Sequence, residues 1–259
     1  MIDIGVNLTH INLMKSLDSV ISDAKEVGVS AILVTGTSSS ESQKAIELCR
    51  QYPDYLFATV GCHPHYANDF SQSNLTTIKQ LSLNPCVKAL GECGLDFNRN
   101  FSTKESQIRA FEWQLELAIE RKLPLFLHQR DAHKTFCEML KSYRSQLGNI
   151  VVHCFTDGCS EAKKYLEMDC YIGITGWLCD ARRNAALVEA IPLIPDNRIL
   201  LETDAPFLLP RNILPKPKSN LNQPKYLPYV CQQLAKIKNK TADDIAQLTD
   251  LNGRVFLNL

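Results

Sequence analysis

The sequence lacks a long apolar run, a leader-like start and a paired cysteine motif. No stretch approaches the roughly 18 consecutive apolar residues that a membrane span needs. The chain enters a strand-like run directly after Met1, without the basic and apolar segments of a secretory leader. None of the ten cysteines forms a C-x-x-C pair, and no histidine spacing completes a zinc finger around Cys154 and Cys159. We therefore predict a cytoplasmic protein with reduced thiols and no membrane partner.

An excess of charge of either sign is also missing. Lys and Arg total 28 and Asp and Glu total 28, so the formal net charge is zero. This balance argues against a protein that is held on nucleic acid by its overall charge, although it leaves room for a local basic patch. Apolar residues make up 45% of the 259, which is enough for a large core. We expect a single domain over residues 1–259.

Short apolar runs alternate with longer helical patterns along the chain. The runs cover residues 2–8, 30–35, 55–61, 86–91, 123–128, 149–154, 170–175 and 198–202. Most are almost continuously hydrophobic, as expected for parallel strands that are covered on both faces. Strand–helix units repeated about eight times over roughly 250 residues predict an α/β fold, a TIM (β/α)8 barrel. A doubly wound open sheet is the competing arrangement, but no glycine-rich phosphate loop follows the first run.

The helical patterns cover residues 18–27, 40–51, 103–122, 132–143, 159–168, 183–191, 224–238 and 241–256. One proline-rich stretch over residues 206–228 interrupts the alternation. It is longer than an ordinary connection, which indicates a functional loop rather than a linker.

Polar residues stand at the predicted carboxyl ends of the strands, where a barrel carries its chemistry. They are His63 and His65 after the third strand, Glu92 after the fourth, His128 after the fifth, His153 after the sixth and Asp204 after the eighth. We expect these ends to converge at the barrel mouth.

Two carboxylates and two imidazoles in this set form a mixed ligand group for a divalent cation: Glu92, His128, His153 and Asp204. A cation would pair with the charge on Glu92, whose burial is otherwise costly, and would acidify a bound water. Taken singly, each residue also has an ordinary structural explanation as a hydrogen-bonded histidine, an ion-paired glutamate or a capping aspartate. A thiol nucleophile is a further alternative, although packing is the favoured role of the neighbouring Cys62, Cys93 and Cys154.

With these motifs assembled, the sequence resembles the TatD family of metal-dependent deoxyribonucleases, most closely its bacterial branch. The matching motifs are Asp3-Ile-Gly-Val-Asn-Leu8, Gly61-Cys-His-Pro-His65, Gly91-Glu-Cys-Gly-Leu-Asp96, His128-Gln-Arg130, His153-Cys-Phe155 and Glu202-Thr-Asp-Ala-Pro206. The resemblance implies an amidohydrolase-like barrel that hydrolyses phosphodiester bonds with Mg²⁺ or another divalent cation such as Mn²⁺ or Zn²⁺. It implies 3′–5′ exonuclease action on DNA, preferably single-stranded, with RNA left open, and a role in DNA repair or fragmentation.

The resemblance also implies roles for individual residues. Glu92, His128 and His153 match the metal ligands, Asp204 matches a ligand or general base, and His63 matches a contact to the substrate phosphate. Many relatives carry His-x-His where this chain has Gly5 and Asn7. Our hypothesis is one firmly held ion at Glu92, His128 and His153, with a second ion bound weakly near Asp204.

A reaction on a phosphodiester also needs groups that hold the substrate. His63 and His65 can donate to the phosphate as charge develops on its oxygens. Arg130, Arg211 and Phe207 follow strands and offer charge and a stacking surface to a single strand, as do Lys216, Lys218, Lys225, Tyr226, Arg182 and Arg183. The ordinary alternative is that these are solvated surface charges.

Two other functions remain open from the sequence. If the same site hydrolysed a bond at a carbonyl group instead, the protein would be an amidohydrolase or a D-aminoacyl-tRNA deacylase. A binding protein that lost its activity together with His-x-His is the second alternative, and survival of the other ligands argues against it. We expect a monomer by default.

Overall fold

The structure, a computed structural model, describes all residues from Met1 to Leu259. Eight parallel strands pair in chain order in one sheet. They are β1 (Ile2–Val6), β2 (Ala31–Val34), β3 (Leu56–Val60), β4 (Val87–Asp96), β5 (Leu125–Arg130), β6 (Ile150–Val152), β7 (Tyr171–Ile174) and β8 (Ile199–Leu201). All eight predicted strands are present, and the predicted (β/α)8 barrel is confirmed.

The last strand returns to the first and closes the barrel. The backbone N–H of Asp204 donates to the carbonyl of Gly5 at 2.9 Å, and that of Asn7 donates to Ala205 at 2.8 Å. Asp3 adds a buried side-chain link. Its carboxylate accepts hydrogen bonds from the backbone N–H of Thr203 at 2.9 Å and from the hydroxyl of Thr203 at 2.6 Å. The segment after β8 is thereby held against β1 at the barrel mouth.

Ten α-helices accompany the strands. They are α1 (Ile11–Met14), α2 (Leu17–Glu26), α3 (Ser39–Gln51), α4 (Gln72–Leu81), α5 (Lys104–Arg121), α6 (His133–Tyr143), α7 (Cys159–Glu167), α8 (Ala185–Ala190), α9 (Leu227–Lys238) and α10 (Ala242–Leu257). The eight predicted helices are present, whereas α1 and α4 were not predicted. Residues 207–223 form no helix or strand, so the irregular loop predicted over residues 206–228 is present, but it ends earlier, at the 3₁₀ helix Pro224–Tyr226 and α9. None of the helices combines the length and the apolar character required to cross a bilayer.

Apolar side chains form two layers because successive residues of a strand face opposite sides of the sheet. The larger cluster of 59 residues lies between the sheet and the helices. The smaller cluster fills the barrel interior with Ile2, Ile4, Ala31, Leu33, Ala89, Phe126, Val151, Tyr171, Leu200, Phe256 and Leu257. The last two belong to the end of α10, which therefore contributes to the interior packing.

The fourth strand departs from the predicted boundary. It continues through Asp96 instead of ending at Gly91, so Glu92 lies within the strand. The pairing register shifts between Leu90 and Cys93, both of which pack in the outer cluster although they are three residues apart. An extra residue in the strand is a β-bulge, and it turns Glu92 towards the barrel interior. Gly91 permits this course, because its φ is +136° and a Cβ there would lie 2.1 Å from the carbonyl oxygen of Phe126.

Candidate active site

One carboxylate oxygen of Glu92 is the centre of the site. Its Oε1 lies 2.9 Å from Nε2 of His153, 3.0 Å from Nδ1 of His128 and 3.2 Å from Nε2 of His63. Burial raises the pKa of Glu92, but attraction to His153 and His63 outweighs it and holds that pKa well below its usual value. The buried carboxylate is thus ionised and paired with three imidazoles, and the predicted convergence of the strand ends is present.

Strand alternation explains why these side chains meet. His128 and His153 lie two residues beyond Phe126 and Val151, which are members of the inner cluster, so both imidazoles project from the same inward face. The bulge in β4 brings Glu92 to that face as well. His63 follows β3 and precedes a short 3₁₀ helix, where its Nδ1 accepts the backbone N–H of His65 at 3.1 Å.

The donor set fits a divalent cation. His63, Glu92 and His128 each offer one ligand atom, and these three atoms lie within 4.8 Å of one another. Nε2 of His128 is buried and lies 3.5 Å from Oδ2 of Asp96, at the limit of hydrogen-bond distance. Imidazole nitrogen with carboxylate oxygen is a common ligand combination for zinc and related divalent ions. His63, which we predicted to contact phosphate, is therefore one of the three residues of this triad, whereas His153 lies 2.9 Å from Glu92 without being part of it.

Asp96 is a second buried carboxylate at the site, and the sequence analysis assigned it no role. Its Oδ2 lies 2.7 Å from Nε2 of His65, and its Oδ1 accepts the backbone N–H groups of Asn98 and Arg99 at 3.0 and 2.8 Å. Burial raises the pKa of Asp96, but hydrogen bonds from His128 and His65 outweigh it and hold the pKa below its usual value. Asp96 thus orients the imidazole of His65, a predicted substrate contact.

Asp204 belongs to the same electrostatic environment. Its side chain is half-buried, and its Oδ1 accepts a hydrogen bond from Nδ2 of Asn7 at 3.2 Å. Burial raises the pKa of Asp204 to about 8, while attraction to His153 lowers it and repulsion from Glu92 raises it further. A carboxyl group with a pKa in this range can accept and release a proton near neutral pH.

Glu202 is, besides Asp96, a functional candidate that the sequence motifs did not reveal. Its side chain is fully buried, its Oε2 lies 3.3 Å from Nδ1 of His153, and its Oε1 accepts the backbone N–H of Cys154. Two glycines make room for it, because a Cβ at Gly5 or Gly173 would lie 2.3 or 2.5 Å from a carboxylate oxygen of Glu202. Gly5, which replaces one histidine of His-x-His, is thus adjacent to the carboxylate of Glu202. That carboxylate contacts Nδ1 of His153, a predicted metal ligand.

The cysteines near the site lack the features of nucleophiles. All ten in the chain are free thiols. Burial raises the pKa of Cys62 to about 12 and raises the pKa values of Cys93 and Cys154 well above their usual range. Since the thiolate is the reactive form, these positions favour the packing role over the thiol alternative.

The predicted cationic contacts fall into two groups. Arg130, Arg211, Lys216 and Lys218 are exposed, and no carboxylate lies within ion-pair distance of them. Others are already engaged: Lys225 pairs with Asp23 at 2.7 Å, and Arg182 and Arg183 both pair with Asp180. The first group remains available to a polyanionic ligand.

A family model described as TatD related DNase matches residues 2–258. The chain belongs to this family. The chain is 49% identical over 259 residues, the full length of both proteins, to a protein of Erwinia tasmaniensis named 3'-5' ssDNA/RNA exonuclease TatD. The family identifies the chain as a nuclease, a hydrolase of phosphodiester bonds, and the resemblance inferred from the motifs is confirmed.

Solved structures show the same fold. The TatD homologue YjjV of Escherichia coli K12 superimposes with a TM-score of 0.89 at 27% identity, over 100% of this chain and 98% of its own. An uncharacterized amidohydrolase of Saccharomyces cerevisiae superimposes with a TM-score of 0.84 at 23% identity, over 98% and 99% of the two chains. The predicted amidohydrolase-like barrel is confirmed, and the triad of His63, Glu92 and His128 supplies a candidate site for a divalent metal.

Proposed function

We propose that this protein is a metal-dependent 3′–5′ exonuclease that removes nucleotides from single-stranded DNA and RNA. The observation that carries the proposal is the buried oxygen of Glu92 shared by three imidazoles at the mouth of a nuclease-family barrel. Polarity and strand preference are inferred from the relatives, which are named for single-stranded DNA and RNA and for the 3'-5' direction.

We assign the cation to Glu92, His128 and His153, and a weaker second position to the vicinity of Asp204. Magnesium is the proposed ion, with Mn²⁺ or Zn²⁺ as substitutes. When bound, a divalent cation supplies stabilisation of charge on the phosphoryl oxygens and acidification of a water.

The remaining steps belong to the side chains of the protein. Asp204 accepts a proton from the attacking water, a role that its position after β8 supports, where Asn7 holds its Oδ1 at 3.2 Å. His63 and His65 donate to phosphoryl oxygens as negative charge grows on them, and Asp96 keeps His65 oriented for that donation. Arg130 and Arg211 contact the phosphates of the strand outside the pocket.

The proposal takes the chain as one barrel domain of residues 1–259 that works as a cytoplasmic monomer. Free thiols at all ten cysteines support a reducing compartment. The barrel mouth carries a complete set of candidate groups from a single chain, which supports a monomeric enzyme. A role in DNA repair or fragmentation is the corresponding cellular hypothesis.

The test is digestion of single-stranded oligonucleotides that carry a label at the 5′ or the 3′ end. We expect a 5′-labelled strand to shorten stepwise and a 3′-labelled strand to release labelled mononucleotide at once, and we expect EDTA to stop both reactions. A 5′–3′ pattern, or cleavage that persists in EDTA, would contradict the proposal. Incubation with a D-aminoacyl-tRNA tests the deacylase alternative, which predicts release of the amino acid from the tRNA.

A further inference from the structure

Two exposed phenylalanine rings stand on opposite sides of the barrel mouth. Phe101 follows β4 and is 64% exposed, and Phe207 follows β8 and is 51% exposed. Because the strands pair in chain order around the barrel, β4 and β8 are half a circuit apart. A single exposed apolar side chain is ordinary and needs no functional explanation. Whether these two rings have a function therefore depends on the residues that they contact.

Each ring is held by an imidazole in the same arrangement. Phe101 lies edge-on to His65, with ring centroids 4.7 Å apart and an angle of 78° between the rings. Phe207 lies edge-on to His10 at 6.0 Å and also at 78°. Both imidazoles are themselves fixed, His65 by Asp96 and His10 by the backbone N–H of Asn12 on its Nδ1 at 3.2 Å. Each phenyl ring is thus held in place on one side while about half or more of its surface faces solvent.

Both rings connect directly to the candidate active site. The ring of His65 lies 4.2 Å from that of His63, whose Nε2 is 3.2 Å from Glu92. On the other side, the backbone N–H of Phe207 donates to the carbonyl of Asp204 at 2.9 Å. The two rings therefore flank the groups that we assign to the reaction.

Unpaired cations accompany the rings. Arg99 precedes Phe101 in the loop after β4, and Arg130 lies on the adjoining strand, where its carbonyl accepts the backbone N–H of Phe97 at 2.9 Å. Arg211 follows Phe207 in the loop after β8. All three arginines are exposed and form no ion pair. Aromatic faces next to cationic side chains are the elements with which proteins bind single-stranded nucleic acid.

We propose that Phe101 and Phe207 are stacking platforms for the bases of the two nucleotides that flank the scissile phosphate. Arg99, Arg130 and Arg211 contact the adjoining phosphates. This inference rests on the proposed function and deepens it, because a base can stack on a side chain only when it is unstacked from its neighbours, which selects single strands.

The test is a cycle that combines side-chain variants with abasic substrates. Phe101→Leu and Phe207→Leu keep apolar bulk and remove the planar face. The probes are single-stranded oligonucleotides with an abasic residue at the terminal or the penultimate 3′ position. Binding is measured by fluorescence anisotropy on an uncleavable phosphorothioate strand, and hydrolysis is resolved into KM and kcat.

We expect each variant to weaken binding of the intact strand by about 5- to 150-fold, the range found when a stacking aromatic residue is replaced by alanine. One of the two abasic strands lacks the base that stacks on the substituted ring. On that strand, each variant should bind only slightly more weakly than the wild type does. Leu83→Ala is the control, because Leu83 is 55% exposed in the connection that leads into β4, at the opposite end of the barrel. This control should bind like the wild type.

Two results would overturn the proposal that the rings are stacking platforms. One is unchanged binding by both variants, and the other is an equal loss of affinity for the intact and the abasic strands. If the wild type binds single strands without cleaving them, the proposed function is wrong, and the binding cycle still decides the platforms. If the wild type binds no single strand, both the function and the platforms are wrong.

Discussion

The contact between Glu202 and His153 makes a prediction that separates metal binding from folding. Oε1 of Glu202 accepts the backbone N–H of Cys154, and Oε2 faces Nδ1 of His153 at 3.3 Å. A carboxylate in this position favours a proton on Nδ1 and leaves the lone pair of Nε2 directed at the Glu92 side of the pocket. In Glu202→Gln the amide oxygen keeps the contact to Cys154, so the amide N–H faces His153. Nδ1 then becomes the acceptor, and the proton moves to Nε2.

The size of the effect follows from the two hydrogen bonds that are exchanged. A bond to a charged group contributes about 1.5–3 kcal/mol and a neutral bond about 0.5–1.5 kcal/mol, so the free energy of unfolding should fall by only about 1 kcal/mol. The protonated Nε2 can still donate to Glu92 but cannot bind a cation. Loss of such an orienting partner typically lowers metal affinity about 10- to 100-fold.

The assay is calorimetric titration of the purified protein with Mn²⁺, paired with thermal unfolding in EDTA. Glu47→Gln is the matched control, since Glu47 is exposed on α3 and its side chain accepts one hydrogen bond, from Gln43. We expect weaker Mn²⁺ binding in Glu202→Gln alone, with a small change in melting temperature. Wild-type Mn²⁺ affinity in a folded Glu202→Gln protein would refute the reasoning and remove His153 from the ligand set.

Two further predictions concern the barrel closure and the packing around Glu202. Burial raises the pKa of Asp3 to about 7 from 3.8, so the folded state binds its proton more tightly, and the free energy of unfolding should fall by up to about 4 kcal/mol between pH 4 and 7. Asp3→Asn should remove that part of the pH dependence in urea titrations; an unchanged slope would contradict it. Gly5→Ala should cost about 1–3 kcal/mol by displacing Glu202. Gly148→Ala, where a Cβ meets nothing within 4 Å, should be neutral, and equal melting temperatures would refute the clash.

Much of the fold was predictable because the strands are apolar on both faces. A run such as residues 149–154 is apolar at consecutive positions, which predicts a buried parallel strand. The alternation of such strands with helices is compatible with few topologies. Helix α4 was missed because only Ile78 among its residues is buried, so its apolar period is weak. The available signal was the capping box, in which Ser71 and Asn74 bond to each other's backbone N–H groups.

The candidate site was predictable where side-chain direction follows strand alternation. His128 and His153 project inwards by that rule, and their approach to Glu92 was expected. The bulge in β4 has no sequence signal of comparable strength, because a glycine before a polar residue is also found at ordinary strand ends. The role of Glu202 depends on space next to Gly5 and Gly173, which are distant in sequence and meet only after the barrel closes.

The central claim is that the Glu92-centred pocket carries out cation-dependent hydrolysis. Its most direct test is the rate of mononucleotide release from single-stranded DNA by Glu92→Gln and wild-type protein, at matched Mg²⁺ and with circular dichroism to confirm folding. We predict that the folded variant shows no Mg²⁺-dependent release, because the charge shared by His63, His128 and His153 is gone. Turnover near the wild-type rate in folded Glu92→Gln would contradict the account.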